Sequence, residues 1–375
     1  MTAIVEFLCC VRCKGDLQET ERELRCVSCG ARFPIRFGFP DFRSSPDSQE
    51  ELANILRIEE LYPASTYEQL IEFHYRRLRE GRGGDAPAGQ IAQWALEHKH
   101  YVGSIDRFGE LHLRGVRDEQ AKLGRVRQER ERVLDIGCGW GRDLLALARA
   151  YGECWGIDVE PGSLLYAKKL VEERGLSSKV RLVLAEAEHL PFRDGVFDFV
   201  NASAVIEHVQ SPEQMGREAR RVLRAGGSYH FYYPNRFSLL PETHTSLWGV
   251  GFLPRALQLR YAERFRGIDF RGTRLFSFFA MRRQMRHTFG RGNYRIAGVT
   301  SGTKERALAS KYASLVGRGR LERLFTLYGK FERVPVLSLA AFFFLPIHYV
   351  TCRRDETVAP VDAPAGVPAT AGGGA

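Results

Sequence analysis

Three groups of side chains in this sequence could do chemistry. The first is the run Val133-Leu-Asp135-Ile-Gly137-Cys-Gly139-Trp-Gly141-Arg-Asp143, with Asp158 following 23 residues after Asp135 at the end of Cys-Trp-Gly-Ile-Asp. Glycines at alternate positions open backbone conformations closed to other residues and let a ligand lie against the main chain. A helix starting behind such a turn offers free N–H groups, and an acid at the end of a second strand can accept both ribose hydroxyls of an adenosine. The dinucleotide fingerprint would need glycine at the sixth place, which is Arg142. The second group is Cys10-x-x-Cys13 and Cys26-x-x-Cys29, twelve residues apart. Two such knuckles place four thiolates at the corners of a tetrahedron, as structural zinc requires, and leave no open position for catalysis. Cys9 is a spare thiol. The third is His208, in Asn201-Ala-Ser-Ala-Val-Ile-Glu207-His208, an imidazole whose ordinary pKa suits a general base, with His244 as second choice. His98, His100 and His112 read as solvated or capping residues, because no carboxylate accompanies them at ligand spacing. Each group also has a plainer reading: acids that cap helices, cysteines of a metal-free ribbon, and Glu207 with His208 as mere buttresses.

Elements must hold these residues in place. Val133–Ile136 reads as a buried strand, followed by a tight turn and the apolar helix start Leu144–Ala150. A hairpin spans the two cysteine knuckles, and Phe33-Pro-Ile-Arg-Phe-Gly-Phe-Pro-Asp-Phe42 supplies the apolar cover that so small a metal domain needs. Residues 44–80 show helical periodicity in two pieces broken at Tyr62-Pro63, 81–89 form a Gly-rich linker, and helical patterning resumes over 91–131. Val334–Val350 is the most apolar stretch; it is short for a membrane span, is cut by Pro335 and Pro346, and reads as a final core strand ending at His348–Cys352, with a shallow membrane dip as the alternative. The Ala/Pro/Gly tail is expected to be disordered.

From about Arg132 to Asn235 the chain resembles the class I S-adenosylmethionine-dependent methyltransferases of the type 11 kind. Val-Leu-Asp-Ile-Gly-Cys-Gly-Trp-Gly looks like that family's first motif, and the resemblance implies that Asp135, Gly137, Gly139 and Gly141 hold the amino-acid part of the cofactor. Gly-Ile-Asp-Val-Glu (156–160) looks like the second, with Asp158 on the ribose and Val159 beside the adenine. Ala-Glu-Ala-Glu-His-Leu-Pro-Phe (185–192) resembles the third, placing Glu186 and Ala187 at the adenine edge, although Ala185 and Glu186 replace the usual glycine and aspartate. Phe197–Asn201 resembles the fourth strand, with Asn201 in the cofactor set, Arg221–Gly227 the turn before the fifth, and Tyr229–Asn235 that strand and its end. The N-terminal piece resembles the zinc-ribbon-like domain that precedes some bacterial methyltransferases, with Val11 where proline is common. The implied fold is α/β: a doubly wound, mostly parallel seven-stranded, Rossmann-like sheet with a small N-terminal zinc ribbon and helical additions. The implied organisation is ribbon 1–43, helical cover and linker 44–131, cofactor-binding core 132–235, substrate-side insert and final strands 236–354, and tail 355–375. In this fold the acceptor approaches the ends of the fourth and fifth strands, near His208.

With 375 residues, 44% hydrophobic and 27% charged, the chain has globular composition and room for a large core. The N-terminus lacks a basic segment and a long apolar run, so a cytoplasmic protein is expected and clustered cysteines point to metal. The charge is uneven. Residues 251–330 hold 18 Lys plus Arg against 4 Asp plus Glu, within a chain of net +10. Arginines interleaved with aromatics suit an anionic membrane surface or a phosphate-bearing lipid substrate, with single-stranded RNA as second choice and a solvated cover over the site as the plainest account. The expected function is methyl transfer from S-adenosyl-L-methionine to an oxygen or carbon of a small-molecule or lipid-linked acceptor, with structural Zn2+ in the ribbon. The alternatives are an RNA methyltransferase that grips phosphates with the ribbon and the arginines, and a noncatalytic interaction module.

Overall fold

The computed structural model describes residues 4–45, 47–80, 105–106, 109–110, 112–125, 131–298, 343–344 and 347–355. The N-terminal part is an antiparallel sheet in sequential order, β1 (Leu17–Glu19), β2 (Glu23–Cys26), β3 (Arg32–Arg36) and β4 (Phe39–Pro40). The β1–β2 hairpin lies between the two cysteine knuckles and sets Leu17 opposite Cys26. Leu17, Leu24 and Phe33 are too few to make a core, and they form one apolar cluster with Trp155, Leu190 and Phe192 of the large domain. Main-chain bonds seal the junction, Cys9 N–H to Pro191 O at 2.9 Å and Phe42 N–H to Leu184 O at 2.9 Å. The ribbon is thus welded to the large domain.

Two helices follow, α1 (Gln49–Leu61) and α2 (Tyr67–Glu80), separated at Tyr62-Pro63 as the sequence leads one to expect. Ser48 starts α1 with a capping box, its side chain accepting from Glu51 N–H while the Glu51 carboxylate accepts from Ser48 N–H. The chain then builds β5 (Arg132–Ile136), α3 (Arg142–Ala150), β6 (Glu153–Asp158), α4 (Pro161–Glu173), β7 (Val180–Leu184), β8 (Phe197–Ser203), α5 (Pro212–Val222), β9 (Leu223–Pro234), α6 (Arg255–Arg266), α7 (Phe278–Phe289), β10 (Tyr294–Gly298) and β11 (Ile347–Arg353). The seven strands form one sheet in the order β10-β11-β9-β8-β5-β6-β7. Neighbours from β7 through β9 pair in parallel, and β11 runs against both β9 and β10. Strands buried on both faces read as almost unbroken apolar runs, and β8 has six of its seven residues buried. The sheet grows in opposite directions from β5 and β8, so the crevice beyond their carboxyl ends is where such a fold receives a ligand.

Two expectations need correction. The fifth strand starts at Leu223, where Phe197 pairs with Leu223 before a register shift, so the Ala225–Gly227 turn is absorbed into β9. The last strand begins at Ile347, after Pro346, and Phe343–Phe344 are helical. Proline cannot donate to a ladder, so the strand starts beyond it. The remainder of the apolar run, the linker 81–89, His98 and His100, and the tail beyond Asp355 lie outside the described residues. No helix among the described residues is long and apolar enough to cross a membrane.

Candidate active site

The ends of β5 and β8 lie side by side, and their register sets Asp135 opposite Asn201. Asp135 is 1% exposed, and its Oδ1 accepts from Asn201 Nδ2 at 2.8 Å. Its Oδ2 has no hydrogen-bond partner among the described residues. Burial first, and then the charge of nearby Asp143, pushes the Asp135 pKa well above the usual carboxylate value. Asp143 enters from the first turn of α3, where burial works against its charge while His112 and Arg142 hold its pKa below the ordinary value. Asp143 is paired with Arg142 at 3.3 Å, which leaves Asp135 Oδ2 as the acid oxygen open to a cationic ligand.

The turn between β5 and α3 is left-handed at all three glycines, Gly137 (φ +64°), Gly139 (φ +52°) and Gly141 (φ +89°). A side chain on Gly137 would overlap Val205, whereas one on Gly139 would meet nothing within 4 Å, so the Gly139 backbone faces open space. The turn is tied to the next strand: Gly139 N–H donates to Asp158 Oδ2 at 2.9 Å, and Glu160 N–H donates to Oδ1 at 3.0 Å. Burial raises Asp158 to about 6 despite those two donors. Val159, 53% exposed, flanks this end. Glu186 and Ala187 lie just past β7, and Ala187 is buried.

The structure brings in residues that sequence reasoning missed. Ser44 donates to Glu186 Oε1 through its N–H (3.0 Å) and its hydroxyl (2.6 Å). Arg43, held between Asp41 (2.8 Å) and Asp47 (2.6 Å), donates from Nη1 to Val159 O at 2.9 Å. The segment leaving the ribbon therefore borders the far end of the crevice. His112, expected as a solvated or capping residue, instead meets Asn201 Oδ1 at 3.0 Å and packs edge-on to His230 and Tyr232. It arrives on the helical stretch 112–122, whose Leu113 and Val116 are buried in the core. No sequence pattern marked His112, while Asp143 carried a weak signal as an acid in the first turn of an apolar helix.

Beyond the end of β8, the chain packs Val205 on the glycine turn and leads to Glu207, which is fully buried, and His208. His244 comes from the insert that follows β9, its ring centroid 5.0 Å from that of His208. Its Nδ1 pairs with Glu242 Oε1 at 2.7 Å, and its Nε2 lies 3.9 Å from Glu207 Oε1. Burial, then the neighbouring His244, lowers the His208 pKa. The insert has its own small apolar cluster, Leu247, Val250, Ala262 and Phe270. Several arginines of the basic stretch serve its folding: Arg255 donates to the carbonyls of Phe270 and Arg271, and Arg236 to that of Gly251.

In the ribbon, the sulfurs of Cys10, Cys13, Cys26 and Cys29 all lie within 4.8 Å of one another, with Cys10–Cys29 at 3.7 Å and Cys13–Cys26 at 3.4 Å. Four thiolates ~2.3 Å from one zinc stand ~3.8 Å apart, so the quartet has the right size for that ion. The two knuckles share one backbone device, since the residue after each second cysteine is left-handed, Lys14 (φ +58°) and Gly30 (φ +71°). Cys9 stays outside the quartet and donates to Phe192 O at 3.1 Å.

Comparison with known proteins agrees with this geometry. A family model described as a methyltransferase domain matches residues 134–231, and one described as Trm112p-like protein matches residues 3–38. Among curated relatives, ajmaline N-methyltransferase of Rauvolfia serpentina is 34% identical over 127 residues, 32% of this chain and 44% of that enzyme. Norajmaline N-methyltransferase of the same plant is 40% identical over 95 residues, 25% of this chain and 32% of that enzyme. Probable tocopherol O-methyltransferase, chloroplastic, of Oryza sativa subsp. japonica is 38% identical over 163 residues, 40% of this chain and 45% of that enzyme. The chain therefore spans less than half the length of each of these relatives.

Proposed function

We propose that this chain, a class I S-adenosylmethionine-dependent methyltransferase domain carried behind a Trm112p-like ribbon, transfers a methyl group to an oxygen or carbon of a small-molecule or lipid-linked acceptor. The observation that carries the reading is the buried Asp135 Oδ2 without a partner, beside a glycine turn whose backbone faces open space and one strand away from Asp158. That combination of anionic floor, bare main chain and ribose-competent acid fits a nucleoside bearing an ammonium and a sulfonium. When bound, S-adenosylmethionine supplies the electrophilic methyl group.

Each residue then has a task. Asp135 and Asn201 receive the ammonium, the N–H groups of the turn receive the carboxylate, and Asp158 accepts the ribose hydroxyls. Glu186, steadied by Ser44, and the Ala187 backbone border the adenine, with Val159 against its face. Methyl transfer depends chiefly on in-line placement, and the acceptor enters between the β8 and β9 ends under the insert. There His208 and His244 can deal with the acceptor's proton, with His208 as direct base; a lowered pKa keeps its imidazole neutral near pH 7. The Cys10, Cys13, Cys26 and Cys29 quartet holds a structural zinc.

Exposed Trp248, Phe252, Leu257 and Phe265 stand on the insert beside its arginines, which favours an acceptor with an apolar or lipid-linked part. The reading is tested by incubating the full chain with methyl-labelled S-adenosylmethionine and cell extract, then separating RNA, lipid and small-molecule pools. Label is expected in the lipid or small-molecule pool, whereas label confined to RNA, or none, contradicts the proposal.

A further inference from the structure

The acceptor side holds a donor set that a methyl transferase does not need for cofactor binding. Glu207, His208 and His244 each offer one ligand atom, and these atoms all lie within 4.8 Å of one another. We infer that these three residues bind a divalent first-row metal cation that receives an oxygen of the acceptor. This rests on the reading of the adjoining crevice as a methyltransferase site, and it changes the task of His208 from base to ligand.

Four observations carry it. First, the distances suit an ion: bonds of ~2.0–2.2 Å place neighbouring donors roughly 3–4 Å apart, and His244 Nε2 lies 3.9 Å from Glu207 Oε1. Second, both imidazoles are held by neighbours outside the cluster. His244 Nδ1 is tied to Glu242 Oε1, and the other Glu242 oxygen accepts from His244 N–H (2.9 Å) and Thr245 N–H (2.7 Å). His208 hydrogen-bonds to the Gly272 backbone. A carboxylate or carbonyl behind a histidine fixes its tautomer and ring plane so that the second nitrogen points its lone pair at a metal. Third, the set is rigidly carried. Arg274 N–H donates to Glu207 O at 2.7 Å, and Val205, two residues before Glu207, packs on the glycine turn. Fourth, the place is right, because Glu207 and His208 follow the carboxyl end of β8, the strand whose Asn201 bonds Asp135, and so border the same crevice.

The donor chemistry selects the ion. Two imidazoles and a carboxylate suit manganese, iron or zinc, and three protein ligands leave positions open for substrate oxygens. Such a site favours an acceptor with a hydroxyl next to a second oxygen, as in a catechol or a hydroxy acid. The coordinated hydroxyl gives its proton to solvent, its oxygen takes the methyl carbon, and the departing sulfonium becomes a neutral thioether, so charge and atoms balance. The ribbon quartet differs in kind: its four soft thiolates discriminate against manganese, which separates the two sites experimentally.

The test uses the full chain holding one zinc per chain, in the ribbon, after a mild chelator has cleared the weaker site. Mn2+ is titrated in, and the free ion is followed by electron paramagnetic resonance, with no acceptor present. One site is expected. His208→Ala and His244→Ala should each abolish it, and Glu242→Gln should weaken it by about tenfold to a hundredfold through the lost positioning bond. Zinc content and S-adenosylmethionine affinity, measured on the same samples, serve as folding controls and should not change. A wild-type protein that holds no Mn2+ at millimolar concentration overturns the inference, as do His208→Ala and His244→Ala variants that hold it as well as wild type. Binding of Mn2+ without binding of S-adenosylmethionine would keep the metal site and refute the methyltransferase reading, so the two failures remain distinct.

Discussion

The two ends of the crevice are built in different ways. The proposed cofactor end comes from neighbouring strand ends within residues 132–203, where Asp135, the glycine turn and Asp158 are placed by the register of β5 against β6 and β8. The acceptor side is assembled from Glu207 and His208 after β8, Glu242 and His244 in the insert, and the Gly272–Arg274 backbone beyond α6. A backbone device tolerates changes in what surrounds it and can be reused for many acceptors. A site made of side chains from separate loops can be changed without disturbing the device. The contrast fits a common cofactor with variable acceptors.

The strongest way to break this contrast lies outside both ends. The ribbon shares its apolar cluster with Trp155 and Phe192, and it sends Arg43 and Ser44 to the cofactor end. Cys26→Ser, which removes one of the four proposed zinc ligands, should lose the metal and lower unfolding stability by more than ~4 kcal/mol, with a parallel loss of cofactor affinity. Denaturant titration with zinc analysis checks this. Retention of wild-type stability without zinc would show that the ribbon is not part of the site's foundation.

A smaller effect sharpens the account of the turn. Ala at Gly137 would combine left-handed strain with overlap on Val205, whereas at Gly139 it would suffer strain alone, because nothing lies within 4 Å. Gly137→Ala should therefore cost about 2–3 kcal/mol of stability and Gly139→Ala about 1 kcal/mol. Both should impair cofactor binding, because Gly139 faces the space the ligand would fill. Thermal unfolding and equilibrium binding separate the two effects, and equal stability losses would contradict the assigned packing.

The smallest effect is expected at the rim. Ser44→Ala removes the hydroxyl bond to Glu186 Oε1 and keeps the backbone N–H bond, and should weaken cofactor binding by about 1 kcal/mol without changing the fold. Competition binding with S-adenosylhomocysteine measures it.

These differences follow what the chain spells out locally. Asp135, the three glycines and Asp158 were legible because strand, turn and helix occupy one continuous run, and the next strand pairs with it at once. The cysteine knuckles and the Tyr62-Pro63 break were legible for the same reason. His112 was not, since it meets Asn201 from 89 positions away on a helix whose pattern reports only burial. Nor was the Ser44–Glu186 contact, which joins residues 142 positions apart. The end of the last strand was legible at His348–Cys352, but its start was not, because apolar character runs through 337–345 and a proline cannot donate to a ladder. Sequence reading found His208 and His244 separately as candidate bases, but only the folded insert brings them onto Glu207.

The central claim is that the crevice between β5 and β8 seats S-adenosylmethionine with Asp158 on its ribose. Calorimetric titration of wild type and Asp158→Asn across pH 5 to 8 tests it most directly. The account predicts one cofactor per chain and roughly tenfold or greater weakening in the variant. Burial holds the free Asp158 pKa at about 6, and ribose hydroxyls donate to its ionised form, so wild-type affinity should be full above that pH and fall as pH drops through it. Asp135, also raised by burial, adds to the same trend, and the variant should lose the Asp158 share. No binding by wild type, or equal affinity in both proteins, would contradict the assignment.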